Sequence, residues 1–294
     1  MDKIKTLKLI LQETEGLSRD KLFVLGLGAQ RCGSTWIGGY LRNHPEFYMS
    51  TPKEMHIFDA LKKEGKHPLL RKSIDNKYFE LTTEQKDILR IIKGEKKYFE
   101  YFDERLKSSH TAFGEITPEY SLLDQQFLKI IGESHPNLRC FVSLRRPIGR
   151  YLSALSYFGR NRPKFDIEKN YLEGLNKKLF CHHTRYTLNI KNLLSVVPKE
   201  QICFLFYEDL FSGTIQTLFR LCDHLEISRV PPEEINFSLT REVNNTSPQA
   251  ELRPPNHEEM KTIYKRFESE YKDLSSLISK RLPESWNQDT ANYG

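Results

Sequence analysis

No stretch of the 294-residue sequence approaches the run of about 18 apolar residues that a membrane-spanning helix requires. The one apolar patch near the start, Leu7 to Leu11, is too short for a span or a signal core, and acidic residues follow it. A membrane partner is therefore not expected, and the chain reads as soluble and cytoplasmic. Cysteine is scarce: five residues, with no C-x-x-C pair among them. That spacing gives no support to a zinc ribbon or a thioredoxin-like motif. Cys140 and Cys203 lie inside apolar runs, so the cysteines read as reduced thiols, mostly in the core. No His/Cys cluster has ligand spacing, so no metal is expected. Internal repeats and low-complexity linkers are also missing.

Charge of one sign is not abundant either. Lys and Arg total 45 against 39 Asp and Glu, a net charge of +6. This mild excess suits an anionic ligand, and equally a solvated basic surface. With 38% hydrophobic and 29% charged residues, the chain can bury a real core.

A further absence is local. Gly28-Ala29-Gln30-Arg31-Cys32-Gly33-Ser34-Thr35 fits the phosphate-loop template G-x-x-x-x-G-K-[ST] at every fixed position but one. Ser34 stands where the lysine belongs, and a cation stands three residues earlier, as Arg31. The context is right: the apolar run Lys21 to Ala29 predicts a buried parallel strand, and Trp36, Ile37, Tyr40 and Leu41 follow at helical spacing until His44-Pro45. A glycine loop at a helix start offers N–H groups and a positive dipole end to an anion. Ser34 and Thr35 add hydroxyls, and Arg31 adds a planar fork. ATP or GTP hydrolysis is disfavoured, because no lysine is placed to reach a γ-phosphate. Alternatively, the glycines serve only helix packing.

The same strand-to-helix logic recurs. Strands are predicted ending near Ile116, over Arg139–Leu144 and over Ile202–Phe206. Helices are predicted from Thr117-Pro118 and from Pro147, the latter with Ile148, Tyr151, Leu152 and Leu155 as its apolar stripe. Thr51 to Asp59 reads as extended. The fold class is α/β, a three-layer arrangement with a central parallel sheet flanked by helices. One domain over 1–294 is expected, with an irregular helical insertion at 60–108. At the carboxyl edge of the third predicted strand, "LRRPIGRYLS" places Arg145 before a helix and Ser153 two turns into it, with Arg150 on the same face. An arginine and a hydroxyl there can clasp a second phosphate. The bland reading makes Arg146 and Arg150 surface charges and Ser153 a packing residue.

"GAQRCGSTW" and "LRRPIGRYLS", in this order, resemble the two cofactor motifs of the sulfotransferases that use 3′-phosphoadenosine-5′-phosphosulfate (PAPS). The first is similar to their 5′-phosphosulfate loop, the second to their R-x-P-x-x-R-x-x-S 3′-phosphate motif. "PKEMHIFD" and "GEITPEY" resemble segments of the heparan sulfate O- and N-sulfotransferases, K-E-x-H-F-F-D and E-K-T-P-x-Y. The likeness runs from about residue 21 to 228. It implies a P-loop-like fold, PAPS as cofactor with adenosine 3′,5′-bisphosphate as product, and a carbohydrate acceptor. It implies that Arg31, Cys32, Gly33, Ser34, Thr35 and Trp36 meet the 5′ side of the donor, with Trp36 on adenine or in the core. Arg145 and Ser153 would take the 3′ phosphate. Two departures stand out: Arg31 replaces the loop lysine, and Ile116 stands where the heparan enzymes carry lysine.

Sulfuryl transfer needs a proton acceptor, charge neutralisation and exclusion of water. Glu54 is the candidate base. In an extended segment Glu54 and His56 share one face, with Lys53, Met55 and Ile57 on the other. His56 would orient the carboxylate or the acceptor hydroxyl, and Arg31 would stabilise charge growing on the leaving group. Asp59 could assist. The basic run Lys62, Lys63, Lys66, Arg71 and Lys72, with Tyr78, Phe79, Tyr98 and Phe99 nearby, suggests a glycan-facing surface or merely a solvated face. The acceptor is thus a carbohydrate hydroxyl or amine, or a small-molecule alcohol. Two other classes stay open: an aberrant P-loop kinase or NTPase, and a non-catalytic module for polyanions such as nucleic acid.

Overall fold

Five short apolar runs become the strands of one sheet. In the computed structural model, which describes residues 2–64, 66–69, 80–160, 162, 164–235, 237 and 253–294, these are β1 (Leu22–Gly26), β2 (Phe47–Met49), β3 (Ala112–Ile116), β4 (Leu138–Leu144) and β5 (Ile202–Phe206). All pairings are parallel, in the order β2-β3-β1-β4-β5. The fold is the α/β arrangement with a central parallel sheet that the sequence predicts.

Alternation along β1 sorts the core into two halves. Phe23 and Leu25 face one side, Leu22 and Val24 the other. On the Val24 side lie α2 (Ser34–Asn43), through Ile37, Tyr40 and Leu41, and the helix Gln216–His224, through Leu218, Leu221 and Cys222. The Phe23 side carries most of the remaining helices. Among them are α1 (Lys3–Ile10) and the helices Gln125–Gly132, Pro147–Arg160, Tyr186–Leu194 and His257–Ile278. All five cysteines are free and buried, as expected.

Register brings three strand ends together. Gly26 lies opposite Ile116 on β3 and Phe141 on β4. The chain leaves β1, β3 and β4 at this one edge, and strand order runs away from β1 in both directions. Such a reversal opens a crevice at the carboxyl ends of the strands.

Several local expectations need correction. The extended reading of Thr51 to Asp59 stops at His56, whose φ of 54° turns the chain into a helix over Ile57–Lys62. The helix expected after Thr117 is a 3₁₀ turn, Pro118–Leu122, and Thr117 does not cap it. Its hydroxyl donates instead to buried Glu115. The helical part of the 60–108 expectation is met among the described residues by Thr83–Lys93 and Tyr98–Asp103. Tyr98 and Phe99 are buried against Phe23, so neither offers a face to a sugar. Arg71, Lys72, Tyr78 and Phe79 lie outside the described residues.

Candidate active site

The loop after β1 is held by its own backbone. The amide of Ala29 donates to the Ser143 carbonyl at 2.7 Å, and that of Ser143 to Gly28 at 2.6 Å. Gly28 and Gly33 take φ of 107° and 91°, a region that a side chain strains. Among the described residues, the N–H groups of Cys32, Gly33, Ser34 and Thr35 have no protein acceptor at the start of α2. The Cys32 side chain turns inward, 3.7 Å from the Tyr186 hydroxyl, and burial pushes its thiol up to about 11. Its contribution to the loop is therefore its amide.

The second corner folds back on the first. Arg145, just past β4, reaches the Arg31 carbonyl at 3.5 Å and lies over the Tyr207 ring at 4.2 Å. The Arg31 Nε–H donates to Ser153 Oγ at 3.2 Å, and its guanidinium stands over Tyr157 at 4.6 Å. Arg31, Arg145 and Ser153 thus form one continuous cationic wall. Arg150 is no surface charge. It is fully buried, donates to the Phe180 carbonyl, and leaves Nε and Nη1 without a partner among the described residues. Arg146 is held by Asp289 at 2.7 Å.

Opposite this wall lies the acidic segment. Glu115, fully buried at the end of β3, accepts from four donors: the Met55 amide at 2.9 Å and the hydroxyls of Thr117, Tyr98 and Tyr120. Tyr120 in turn accepts from the Ile57 amide at 3.1 Å. This knot buries Met55 and Ile57 and turns Glu54 and His56 outward. His56 Nε2 is 3.3 Å from Glu54 and its Nδ1 is 3.2 Å from Asp59. Burial works against its charge, but the hydrogen bonds to the two carboxylates outweigh it and raise His56 to about 10. Burial likewise works against ionised Glu54, yet His56 and Lys53 bring its carboxyl down to about 2. At neutral pH the segment is a carboxylate–imidazolium–carboxylate row.

The sequence reading placed Lys53 on the face away from Glu54. The structure overturns this: Lys53 Nζ is 2.8 Å from Glu54 and 3.5 Å from Ser34 Oγ. Residues 51–56 are not a strand, so strict alternation does not apply to them. Two acids escaped sequence reasoning. Glu115 could have been found as the lone carboxylate in an apolar strand. Glu119 carries no such signal; folding brings it beside His56 and Glu54, with Gln30 Nε2 donating to it at 3.3 Å. Donor atoms of Glu54, His56 and Glu119 lie within 4.8 Å of one another, close enough to hold a metal ion jointly. Of the basic run, Lys63 pairs with Asp59 at 3.2 Å and Lys62 donates to the Leu122 carbonyl at 2.7 Å. Trp36 packs between Phe211 and Phe237, both at 5.2 Å, which favours its packing role over an open stacking face.

No helix among the described residues is long and apolar enough to cross a membrane. The profile of the sulfotransferase family matches residues 22–232. No curated protein sequence matches the chain. Among solved structures, a sulfotransferase from Alicyclobacillus acidocaldarius is 18% identical, with a TM-score of 0.62 over 91% of this chain and 99% of that one. The sulfotransferase domain from the curacin biosynthetic pathway is 17% identical, with a TM-score of 0.53 over 90% and 98%. That of the Synechococcus PCC 7002 olefin synthase is 19% identical, with a TM-score of 0.50 over 93% and 92%. These likenesses are ones of fold. The family match spans the loop, the acidic segment and the second corner, and on that ground the chain belongs to the sulfotransferase family and is a sulfotransferase enzyme.

Proposed function

We propose that this sulfotransferase takes the sulfuryl group of PAPS and delivers it to a hydroxyl, or an amine, of a carbohydrate, with Glu54 as general base. The observation that carries this reading is convergence. Unpaired loop amides, a wall of Arg31, Arg145 and Ser153, and an ionised Glu54 meet at one sheet edge.

The residues fit such a donor. The free N–H groups of Cys32 to Thr35 suit its 5′ side, and Arg145 with Ser153 suits its 3′ phosphate. Bound there, PAPS supplies a sulfuryl group whose bond to phosphate oxygen breaks as its bond to the acceptor oxygen forms. Glu54 takes the proton that the acceptor loses. Its low pKa keeps it ionised, and it can take the proton only as bonding to sulfur makes the acceptor's proton strongly acidic. His56, already protonated, cannot be the base; it orients Glu54 and is itself braced by Asp59. Arg31 neutralises charge on the leaving side. The segment 60–108, which follows Glu54 and His56, is assigned to the acceptor side.

Replacing Glu54 with Gln is expected to lower turnover about 10²–10⁴-fold. Binding of adenosine 3′,5′-bisphosphate should stay within a few-fold of wild type. Turnover is read as labelled sulfate transferred from PAPS to a panel of glycans and small alcohols. Near-normal turnover by Glu54→Gln would remove the base assignment. Transfer to small alcohols alone would remove the carbohydrate one.

A further inference from the structure

The loop lacks its lysine, and the fold puts one back. We infer that Lys53 supplies, from the neighbouring segment, the cation that phosphate loops carry at the position of Ser34, and that it contacts the donor during transfer. This rests on the sulfuryl-transfer reading above and assigns one more catalytic residue to it.

Three observations carry the inference. Lys53 Nζ stands 3.5 Å from Ser34 Oγ, at the start of α2, where the unpaired loop amides point. Its stem runs across the helix at Gly38, where an added Cβ would stand 2.6 Å from Lys53 Cδ. The glycine is thus the opening through which the side chain reaches the loop. And Nζ also contacts Glu54 at 2.8 Å, so one ammonium touches both the base and the anion-binding loop. A lysine at position 34 could serve the loop only. The Lys53 side chain is 15% exposed, so its charge acts with little solvent screening.

Arg31 does not fill this place. Its Nε–H donates to Ser153 and its guanidinium stands over Tyr157, whereas Lys53 Nζ contacts Glu54 and Ser34. As the sulfur–oxygen bond breaks, its electron pair stays on the phosphate oxygen. Lys53 meets that charge from the Glu54 side of the loop, as Arg31 does from the Ser153 side. After Glu54 takes the acceptor proton, Lys53 loses its carboxylate partner and its whole charge is available to the leaving group.

The test is a set of substitutions read by turnover and by bisphosphate binding. Lys53→Met keeps the stem and removes the charge. It should lower turnover about 10²–10³-fold, the usual cost of one such donor, while the bisphosphate still binds and the thermal midpoint stays near wild type. Adding Ser34→Lys to Lys53→Met should recover at least about tenfold, since the charge returns by its ordinary route. A lysine that merely orients Glu54 predicts something else: Lys53→Met would cost nothing further in a Glu54→Gln background. The inference predicts a further loss of at least about tenfold there. It is overturned if Lys53→Met stays within threefold of wild type, if the double variant with Glu54→Gln loses nothing more, or if Ser34→Lys brings no recovery. None of these outcomes depends on Glu54 being the base: full activity of Glu54→Gln, or no bisphosphate binding by wild type, is what would sink the underlying reading.

Discussion

Arg145 shows how much one side chain can join. It leaves β4, crosses to the Arg31 carbonyl and stacks on Tyr207, so it fixes the loop from the side as well as offering its own charge. If that charge serves a 3′ phosphate, Arg145→Ala should weaken adenosine 3′,5′-bisphosphate about 10- to 100-fold, the range of a lost charge-assisted hydrogen bond. Adenosine 5′-monophosphate, which lacks the 3′ group, should lose much less. Isothermal titration with both nucleotides decides it: equal losses would mean that Arg145 only supports the loop.

At the scale of elements, the decisive joint is the one between β3 and the segment 53–57. Among the described residues Glu115 forms no ion pair; four hydrogen bonds compensate its burial, and burial still raises its carboxyl above the usual range. Glu115→Gln would aim an NH₂ group at two of those donors. A loss of roughly 2–4 kcal/mol in urea unfolding is expected. Turnover should fall as well, because the Met55 amide is what turns Glu54 outward. Unchanged stability would mean that the knot is dispensable. The sequence made four of the five strands and the two corners legible, since apolar runs ending in glycine or in Arg-Pro are local signals; β2, only three residues long, gave none. Trp36 to Leu41 and Ile148 to Leu155 announced their helices the same way. The joint was not legible. Lys53 meets Glu54 because the backbone twists at residues 51–56, and Glu119 meets His56 because a 3₁₀ turn delivers it. Both depend on contacts between segments about 60 residues apart, which periodicity does not record.

Across the whole molecule, three His-Pro pairs repeat one device. His44, His67 and His135 each accept, at Nδ1, from the amide of the residue after the proline: Glu46, Leu69 and Asn137, at 3.0 to 3.2 Å. An amide can only donate, so Nδ1 carries no proton, and Nε2–H donates to the carbonyls of Ser228, Met55 and Ser18 at 2.8 to 3.0 Å. All three rings are buried, and burial lowers each pKa. The unfolded chain therefore binds more protons than the folded one below about pH 6.5. Stability from these rings is complete above that pH and falls as pH drops toward their lowered values, by up to about 1.4 kcal/mol per pH unit for each. Denaturant unfolding followed from pH 8 to pH 5 should first gain stability down to about pH 6.5, where the raised His56 is protonated only in the folded chain, and then show this decline; no decline below pH 6.5 would mean that the three rings titrate alike in both states.

One of these rings, His67, bonds the carbonyl of Met55, whose amide is tied to Glu115. Met55, between Glu54 and His56, is thus anchored at both ends of its peptide to the interior. A strip held this way moves only with the core behind it. Heat or acid should extinguish turnover and near-ultraviolet circular dichroism together, so an assay of sulfate transfer doubles as a gauge of how much of the population is folded.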